Sequence, residues 1–438
     1  MANTFLSRSN SSGTSTQKGT ISVWIKGSEE PSGNNQTTLA CWGNANNHGA
    51  LIWNGGDKID AFDYQSGYAS QLQTNALLRD SSAWYHIVYA WDTTLSTAND
   101  RQKIYINGIE QTYSTRTNYS TNAATSWNAN SYSMRVGGLN SSSYFNGLMS
   151  HIHFIDGIAY APTLFGETDS TTGQWKIKTS PSVTYGNNGF FVLKDGITIT
   201  DSSPNSNNFS LSGGTLTKTE DCPSNNFATL NPLLDVNAVP TFSNGNTTIV
   251  GSSSGGARLS GSSISVGTGK WYYEIKTTVD GSQPYIGVID AQSNIRRNSS
   301  YFVAATSGSN DSGYAVNMSG DIYYNNSSTY ASNIGSISTG DILGFAVDLT
   351  STQKTCTIYK NGTSMRTFNL ANSSSGNYML GVCSISNSTS AKCEVNFGNG
   401  KFGTTSVSSV GTNASANGIF EYAVPSGYTA LSTKGLNL

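Results

Sequence analysis

The sequence is poor in charge: Lys, Arg, Asp and Glu together make up 11% of its 438 residues, against about 25% in an average soluble protein. The net charge is only −2, so we expect no nucleic-acid partner and no anionic membrane surface as a partner. No apolar run approaches the roughly 18 residues of a membrane-spanning helix, and membrane insertion is not expected. The residues after Met1 contain neither a basic nor an apolar segment, which argues against a secretory signal peptide.

Cysteine and histidine are also scarce, with five and four residues respectively. An odd number of widely scattered cysteines predicts buried free thiols rather than a disulfide framework. Cys383 and Cys393 are the one pair that a hairpin would bring face to face, and their state stays open here. Because 36% of the residues are hydrophobic, the low charge does not indicate disorder, and the chain has enough apolar side chains for real cores.

Short strands separated by Gly/Asn/Ser clusters dominate the pattern, and helical periodicity is nearly absent. Residues 20–26 and 341–349 alternate between apolar and polar positions, as half-buried strands do. Residues 84–91 are bulky on both faces, which is typical of a central strand. Two strands end in Asn-Gly, at 107–108 and at 361–362, and this dipeptide is a strong hairpin signal. The pattern predicts an all-β fold.

We predict two antiparallel β-sandwiches of the jelly-roll type, joined by an ordered connector. The first sandwich spans 1–160 and the second spans 240–438. The connector, 161–239, is expected to pack on the first domain, because its apolar side chains need burial. A Trp-Tyr strand start followed by a Tyr-containing strand and Asn-Gly occurs in both blocks, so the two sandwiches are predicted to be of related construction.

Trp84-Tyr85-His86-Ile87-Val88 and Ile104-Tyr105-Ile106-Asn107-Gly108 resemble the concanavalin A-like, laminin-G-like jelly rolls. Trp271-Tyr272-Tyr273-Glu274, Gly340-Asp341-Ile342-Leu343-Gly344 and Tyr359-Lys360-Asn361-Gly362 resemble SPRY domains. Further segments are similar to virion proteins of tailed bacteriophages: residues 79–88, 153–157, 165–167, 185–190 and 225–232. This resemblance implies a virion protein, assembled in the host cytoplasm, with other virion proteins as partners and a homo-oligomeric state.

Paired carboxylates would be needed for glycan cleavage, because one acid and one base or nucleophile flank the bond. The nearest arrangement is Glu167-Thr168-Asp169, but Thr172 stands where the third carboxylate of the enzyme motif belongs. No nucleophile elbow and no phosphate-binding glycine loop is present. We therefore predict no catalytic residues and expect that the protein is not an enzyme.

Metal sites are not predicted either. His151 and His153 on one strand face would make half of a metal site, but no third ligand lies at the required spacing. The laminin-G resemblance leaves open a calcium ion at the loop that Asp92 and Asp100 flank, and no other cofactor is expected.

Aromatic loops are the candidate binding sites, because ring faces stack on sugar C–H groups while Asn and Asp side chains hydrogen-bond sugar hydroxyls. The candidate ligand-binding residues are Tyr64, Tyr68, Trp127, Tyr301, Phe302, Tyr323 and Tyr330. For any one tyrosine the alternative is that it fills a sheet face or a subunit interface.

Three functions compete at this stage. The first is a non-enzymatic virion surface protein that adheres to host glycan or protein, either in a tail fibre or as capsid decoration. The second is a purely structural adaptor that binds only other virion proteins. The third is a glycan depolymerase, which the missing acidic pair disfavours.

Overall fold

In the computed structural model, β-strands are the dominant regular structure of the described chain. The described residues are 3–28, 33–139, 143–194, 198–234, 241–251, 257–278, 284–291, 313–324, 327–331, 334–373, 375–386 and 390–437. Helix in this part of the chain is limited to the 3-10 segments Ala98–Asp100, Ser126–Asn128, Pro162–Leu164 and Gly435–Asn437. None of these could cross a membrane.

Two units divide the chain, Met1–Lys218 and Thr219–Leu438. The strands of the first unit, β1 to β16 in chain order, are Leu6–Ser9, Lys18–Gly27, Gln36–Asn44, Asn47–Trp53, Ile59–Gln65, Tyr68–Thr74, Tyr85–Asp92, Gln102–Ile106, Ile109–Glu110, Tyr113–Thr117, Ser133–Val136, Gly147–Asp156, Gly166–Thr168, Trp175–Ile177, Phe190–Val192 and Ser210–Leu211.

The strands of the second unit, β17 to β33, are Thr241–Ser243, Thr248–Val250, Ala257–Ser260, Ser265–Val266, Lys270–Thr278, Tyr285–Asp290, Gly313–Val316, Ile322–Tyr324, Ser327–Ala331, Ile342–Asp348, Thr355–Lys360, Thr363–Asn369, Tyr378–Ser386, Lys392–Asn396, Lys401–Phe402, Thr405–Ser406 and Thr429–Ala430.

The first unit is a sandwich of two antiparallel sheets. One sheet has the strand order β10-β6-β5-β4-β3-β11-β1-β16, and the other has the order β15-β12-β2-β7-β8-β9. Their inner faces share one core, to which β2 contributes Ile21, Val23 and Ile25, as their alternation predicts. Leu51 and Leu72 enter the same core from the opposite sheet.

The second unit has the same two-layer architecture. Its sheets have the orders β17-β18-β30-β21-β26-β27-β28 and β19-β29-β22-β23-β24-β25. Phe345 and Val347 from the first sheet meet Ile286 and Leu380 from the second in one core. The predicted all-β class of two antiparallel sandwiches is therefore confirmed.

The predicted connector, 161–239, divides between the two units at Lys218. Before that point, Phe190–Val192 adds a strand to one sheet of the first unit, and Ser210–Leu211 adds a strand to the other. Phe190 is fully buried in the first core, so this part of the connector is structural.

One arrangement of polar contacts between neighbouring strands occurs in both units. A lysine at the start of one strand pairs with an aspartate at the end of its neighbour, Lys18 with Asp92 at 3.0 Å and Lys270 with Asp348 at 2.9 Å. In each unit the aspartate also accepts bonds from the amide and hydroxyl of the threonine two residues later. The related construction predicted from the sequence is visible here as matching contacts.

The two Asn-Gly turns complete this design. Asn107 and Gly108 have φ of 48° and 80°, and Asn361 and Gly362 have φ of 49° and 80°. Both central residues of a type I′ turn need positive φ, which Asn and Gly tolerate best. The Asn107 side chain accepts the amide of His86, and Asn361 accepts that of Ile342, so each turn is tied to the neighbouring strand.

All five cysteines are free, as predicted, and four of them are buried. Cys383 and Cys393 lie in the core of the second unit as free thiols, and the Cys383 thiol donates to the Gly381 carbonyl at 3.6 Å.

Buried carboxylates tie distant segments to the sheets. Asp156, at the end of β12, accepts the amides of Thr14 and Ser15 at 2.7 and 3.0 Å. It also accepts the amide of Asn188 and the side-chain amide of Asn128. Four donors from three separate segments thus converge on one carboxylate that is 2% exposed.

Glu274 of β21 has the same function in the second unit. Its carboxylate accepts the amides of Glu421 and Tyr422, each at 2.9 Å, and so holds the C-terminal segment on the sheet. The Tyr272 hydroxyl and the Asn396 side-chain amide complete the set of donors. Burial raises the pKa of Glu274 to about 7, although the four donors oppose this shift.

The raised pKa of Glu274 predicts a pH-dependent stability of the second unit. The folded state binds the proton more tightly than the unfolded chain, so this contribution is present below pH about 4.5 and is lost as pH rises to about 7. The loss is on the order of 3 kcal/mol. Calorimetry of the full chain at pH about 5 to 8 should show it, and Glu274→Gln should flatten the slope.

Glu394→Gln is the matched control, because Glu394 lies on neighbouring β30 with a part-exposed side chain paired to Lys392. A Glu274→Gln protein that keeps the full pH slope would contradict this assignment.

Candidate functional site

A row of aromatic side chains crosses four neighbouring strands of the eight-stranded sheet. The register places Trp42 of β3 opposite His48 of β4. His48 in turn lies opposite Tyr64 of β5, which lies opposite Tyr68 of β6. Opposed residues of antiparallel strands point to the same face, with Cβ atoms about 5 Å apart. We call Trp42, His48, Tyr64 and Tyr68 the aromatic row.

This face of the sheet is the one that points away from the core. Cys41, which precedes Trp42 and points the other way, is buried in the core of the first unit. Beneath the row, Ala50 and Phe62 belong to a separate apolar cluster, against which Trp42 and Tyr64 pack. Tyr68 is 53% exposed, and the other three rings are half-buried.

Neighbouring rings of the row are in contact. The centroid distances are 5.0 Å for Trp42–His48, 5.6 Å for His48–Tyr64 and 5.4 Å for Tyr64–Tyr68. Phe62 supports His48 and Tyr68 edge-on, at 5.7 Å from each ring. Because each ring is braced by the next, the row presents pre-ordered aromatic surface to the solvent side of the sheet.

Amide-rich turns border the row at one end. Asn44, Asn46 and Asn47 lie at the β3–β4 turn, and Gln65 and Ser66 lie at the β5–β6 turn. The Ser66 amide donates to the Asn46 carbonyl at 2.7 Å, which holds the two turns together. Exposed Asn and Gln side chains offer both donors and acceptors to hydroxyl groups beside the aromatic surface.

The charged groups of this face are few. The Arg135 guanidinium of β11 lies over the Trp42 ring, 5.3 Å from its centroid. Asp60 of β5 accepts the side-chain amides of Gln71 and Gln73, and burial raises its pKa to about 6. Burial also lowers the pKa of His48, so its imidazole is neutral at pH 7. An aromatic row, amides and one nearby cation form a surface suited to sugar rings and their hydroxyls.

The structure places the predicted binding residues other than Trp127 in three groups. Tyr64 and Tyr68 are brought together in the aromatic row. Tyr323 lies in the second unit on β24, half-buried, with its ring 5.7 Å from that of Tyr285. Tyr301 and Phe302 lie outside the described residues, and Tyr330 lies on β25 with its side chain outside them.

Trp127 is a correction to the sequence analysis. It is fully buried, in a 3-10 turn whose indole packs against Trp91 and Tyr89 in the first core. Asp63 draws this turn inward, because its carboxylate accepts the Ser126 amide at 2.9 Å. The ring therefore has no surface to offer a ligand.

Trp42, His48 and Arg135 were missed by the sequence reasoning. Each lies inside a strand, whereas binding residues were sought in loops. The available signal was a pair of adjacent strands, β3 and β4, with large side chains on both faces. Such a pattern also describes a strand buried on both sides, so only the register distinguishes the two.

The histidine pair at His151 and His153 does not form a metal site. A bulge interrupts β12 at this point, and His151 has a φ of 48°. Ser150 engages Nδ1 of His151, and the Tyr185 hydroxyl engages Nδ1 of His153. Burial lowers the pKa of His153, and in the described part of the chain no three His, Cys, Asp or Glu side chains cluster as metal ligands do.

The acidic motif Glu167-Thr168-Asp169 forms an exposed ion-pair network. Lys176 pairs with both Glu167 and Asp169, at 3.4 and 3.3 Å. The amides of Thr172 and Thr171 lower the pKa of Asp169 to about 2. A glycosidase acid needs a raised pKa, so this arrangement does not supply one.

The two aspartates of the proposed calcium loop are each engaged by a lysine. Asp92 pairs with Lys18 at 3.0 Å, and Asp100 pairs with Lys103 at 3.3 Å. The Asp92 pair matches Lys270–Asp348 of the second unit, whereas the Asp100 pair joins residues three positions apart.

A buried Ser–His contact has the wrong polarity for nucleophilic catalysis. The Trp175 indole N–H donates to Nδ1 of His86 at 2.9 Å, so the ring proton lies on Nε2. That proton is donated to the Ser22 hydroxyl at 2.8 Å, and His86 cannot act as its base. Burial lowers the pKa of His86 to about 3, and its ring stacks on Trp24 at 4.7 Å.

Two family models match the chain, one over each sandwich. The concanavalin A-like lectin/glucanases superfamily matches residues 3–159, and the SPRY domain matches residues 270–400. The chain therefore carries a concanavalin A-like, laminin-G-like domain followed by a SPRY domain. No curated protein sequence matches it.

Three solved structures are similar to parts of the chain at low identity. Domain 4 of the GH43 extracellular arabinanase AbnA from Geobacillus stearothermophilus, solved with arabinotriose, is 20% identical, with a TM-score of 0.28. The match covers 34% of this chain and 65% of that one, just under two thirds. The SPRY domain of human HERC1 is 17% identical, with a TM-score of 0.29, over 38% of this chain and 96% of that one. A putative carbohydrate binding protein from Bacteroides ovatus is 16% identical, with a TM-score of 0.33, over 51% and 60%.

The different burial of two aromatic residues predicts different effects on stability. Trp127→Ala should lower the free energy of unfolding by about 3–5 kcal/mol, because it opens a cavity in the first core. Tyr68→Ala should change it by less than about 0.5 kcal/mol, because the ring is largely exposed. Urea unfolding of the full chain followed by fluorescence measures both. Equal effects of the two substitutions would contradict the placement of these side chains.

Proposed function

We propose that this chain is a non-enzymatic adhesion protein that binds carbohydrate on the outer face of its first sheet. The observation that carries the proposal is the aromatic row, which places four contacting rings on one exposed face. Sugar rings present C–H patches that pack on such rings, and their hydroxyls need donors and acceptors nearby. The amide-rich turns at Asn44–Asn47 and Gln65–Ser66 meet that second need.

Rigidity of the row supports binding at low entropic cost. Its side chains project from strands rather than from free loops, so the contact surface is ordered before a ligand arrives. The match to the lectin and glucanase superfamily over the same residues agrees with this use of the sheet.

A non-enzymatic role is proposed because the candidate catalytic groups are already engaged. Glu167 and Asp169 are held by Lys176, and His86 is a neutral donor to Ser22. None of these groups lies on the strands of the aromatic row, so the proposed sugar would not meet them.

The setting we propose is the surface of a phage particle, in a tail fibre or as capsid decoration. Segments similar to tailed-phage virion proteins, such as residues 225–232, support this setting. The partners would be other virion proteins and further copies of this chain, with the SPRY domain providing a protein-binding module. Host-surface glycan or protein would be the target of adhesion.

Loss of rings from the row should weaken glycan binding. We expect Trp42→Ala, and the double variant Tyr64→Ala with Tyr68→Ala, to reduce affinity about tenfold or more. A glycan array selects the probe, and titration calorimetry of the full chain measures the affinity. Tyr359→Ala, in a part-exposed tyrosine of the second unit, is the control and should bind normally. A chain that binds no glycan, or binds equally well without these rings, would refute the sugar site.

The particle setting has its own test. Mass spectrometry of purified particles should detect the chain, and cryo-electron microscopy should place the outer face of the first sheet toward solvent. Absence from particles would refute the virion role. Burial of that face between other subunits would instead favour a structural adaptor, and release of reducing ends from host polysaccharide would favour a depolymerase.

A further inference from the structure

Arg135 is the cation nearest to the aromatic row. Its strand, β11, pairs with β1 and β3, and the register places Arg135 between Ser7 and Ala40. Its guanidinium lies between two rings, 5.3 Å from the centroid of Trp42 and 5.6 Å from that of Phe5. Aromatic rings on the face of a guanidinium restrict its orientation, so its N–H groups donate hydrogen bonds from the edge.

Those partners are few within the described chain. Nη1 of Arg135 donates to the Leu139 carbonyl at 2.6 Å. Nε is buried and has no acceptor. Among the described residues no acceptor meets Nη2, and no carboxylate forms an ion pair with this side chain. Within the described residues the guanidinium therefore makes one hydrogen bond out of the five that it can donate.

Other arginines of the first unit have either an ion pair or several hydrogen bonds. Arg79 pairs with Asp57 at 3.0 Å. Arg101 donates four hydrogen bonds, three to backbone carbonyls and one to a threonine hydroxyl. Arg116, on edge strand β10, also lies over an aromatic ring but donates three hydrogen bonds. Arg135 differs from these arginines because it is half-buried, makes one hydrogen bond and has no ion pair among the described residues.

No described charged group on the same face pairs with Arg135. His48 is uncharged at pH 7, because burial lowers its pKa. Asp60 lies on β5, with β3 and β4 between it and β11, and its carboxylate already accepts the amides of Gln71 and Gln73. The Arg135 end of the row is consequently a cationic end.

We infer that the aromatic row binds an anionic sugar, whose carboxylate or sulfate group pairs with Arg135 while its ring packs on Trp42. A guanidinium edge matches a two-oxygen anion through paired N–H···O bonds, which are stronger than bonds between neutral groups. The inference rests on the proposed sugar site and names its ligand class. A neutral sugar would offer hydroxyl acceptors to the guanidinium but no negative charge to pair with it.

Paired glycans that differ mainly in charge provide the test. The probes are 3′-sialyllactose and lactose, oligogalacturonate and its methyl ester, and sulfated and unsulfated chondroitin oligosaccharides, titrated into the full chain. We expect the acidic member of at least one pair to bind at least tenfold more tightly than its neutral or less charged partner. Its affinity should fall with added salt.

Substitutions identify the group responsible. Arg135→Gln should remove the preference for the acidic member, with a loss of about tenfold to a hundredfold. Arg135→Lys should keep part of it, because the charge remains while the paired donors are lost. Arg116→Gln is the matched control, since that arginine also stacks on a tyrosine but is already hydrogen-bonded. Thermal unfolding of each variant checks that the fold is retained.

The outcomes separate the two levels of the proposal. Binding of acidic sugars that depends on Arg135 supports both the sugar site and the anionic ligand. The uronate and sulfate pairs then show which anion the site binds. Binding of neutral sugars that Arg135→Gln leaves unchanged overturns the anionic ligand but keeps the sugar site. Failure of all probes to bind overturns both.

Discussion

The register of antiparallel strands is the constraint on which this structure most depends. Side chains alternate between the two faces of each strand, so a shift of one residue would exchange the core face for the outer face. In the first unit the register places Cys41 and Leu51 in the core and Trp42, His48, Tyr64 and Tyr68 outside. The same pairing that builds a closed hydrophobic interior therefore assembles the exposed aromatic surface.

The chain has few charged residues, and its buried carboxylates anchor loops to the sheets. Asp156, Asp63 and Glu274 each accept backbone amides from segments remote in sequence. Each buried N–H group loses its hydrogen bond to water, and the carboxylate replaces that bond for several N–H groups at once. Such a carboxylate therefore holds loops that have little apolar surface of their own. The loops of a Ser- and Asn-rich chain are anchored in this way, and the faces of the sheets remain free for other contacts.

Both sandwiches contain the same set of polar contacts between neighbouring strands. The Lys–Asp pair closes one end of two neighbouring strands, and the Asn-Gly turn leads to the next strand with its side-chain oxygen bound to a backbone amide. On this shared frame the two units carry different surfaces, as their matches to a lectin-like superfamily and to the SPRY domain indicate. Fold is common to the halves of the chain, whereas function is a property of the faces and loops.

Local pattern alone determined the all-β class, the strands of alternating residues and the two Asn-Gly turns, because period-two burial and positive φ are properties of a few consecutive residues. It also led to the prediction of Tyr64 and Tyr68 as binding residues, which flank a turn of Gln, Ser and Gly. Only the tertiary structure decided that Trp127 turns inward, drawn by the distant Asp63, and that Trp42 and Arg135 share a face with those tyrosines. Such neighbours are set by pairing between strands far apart in sequence, and no local pattern encodes which strand lies beside which.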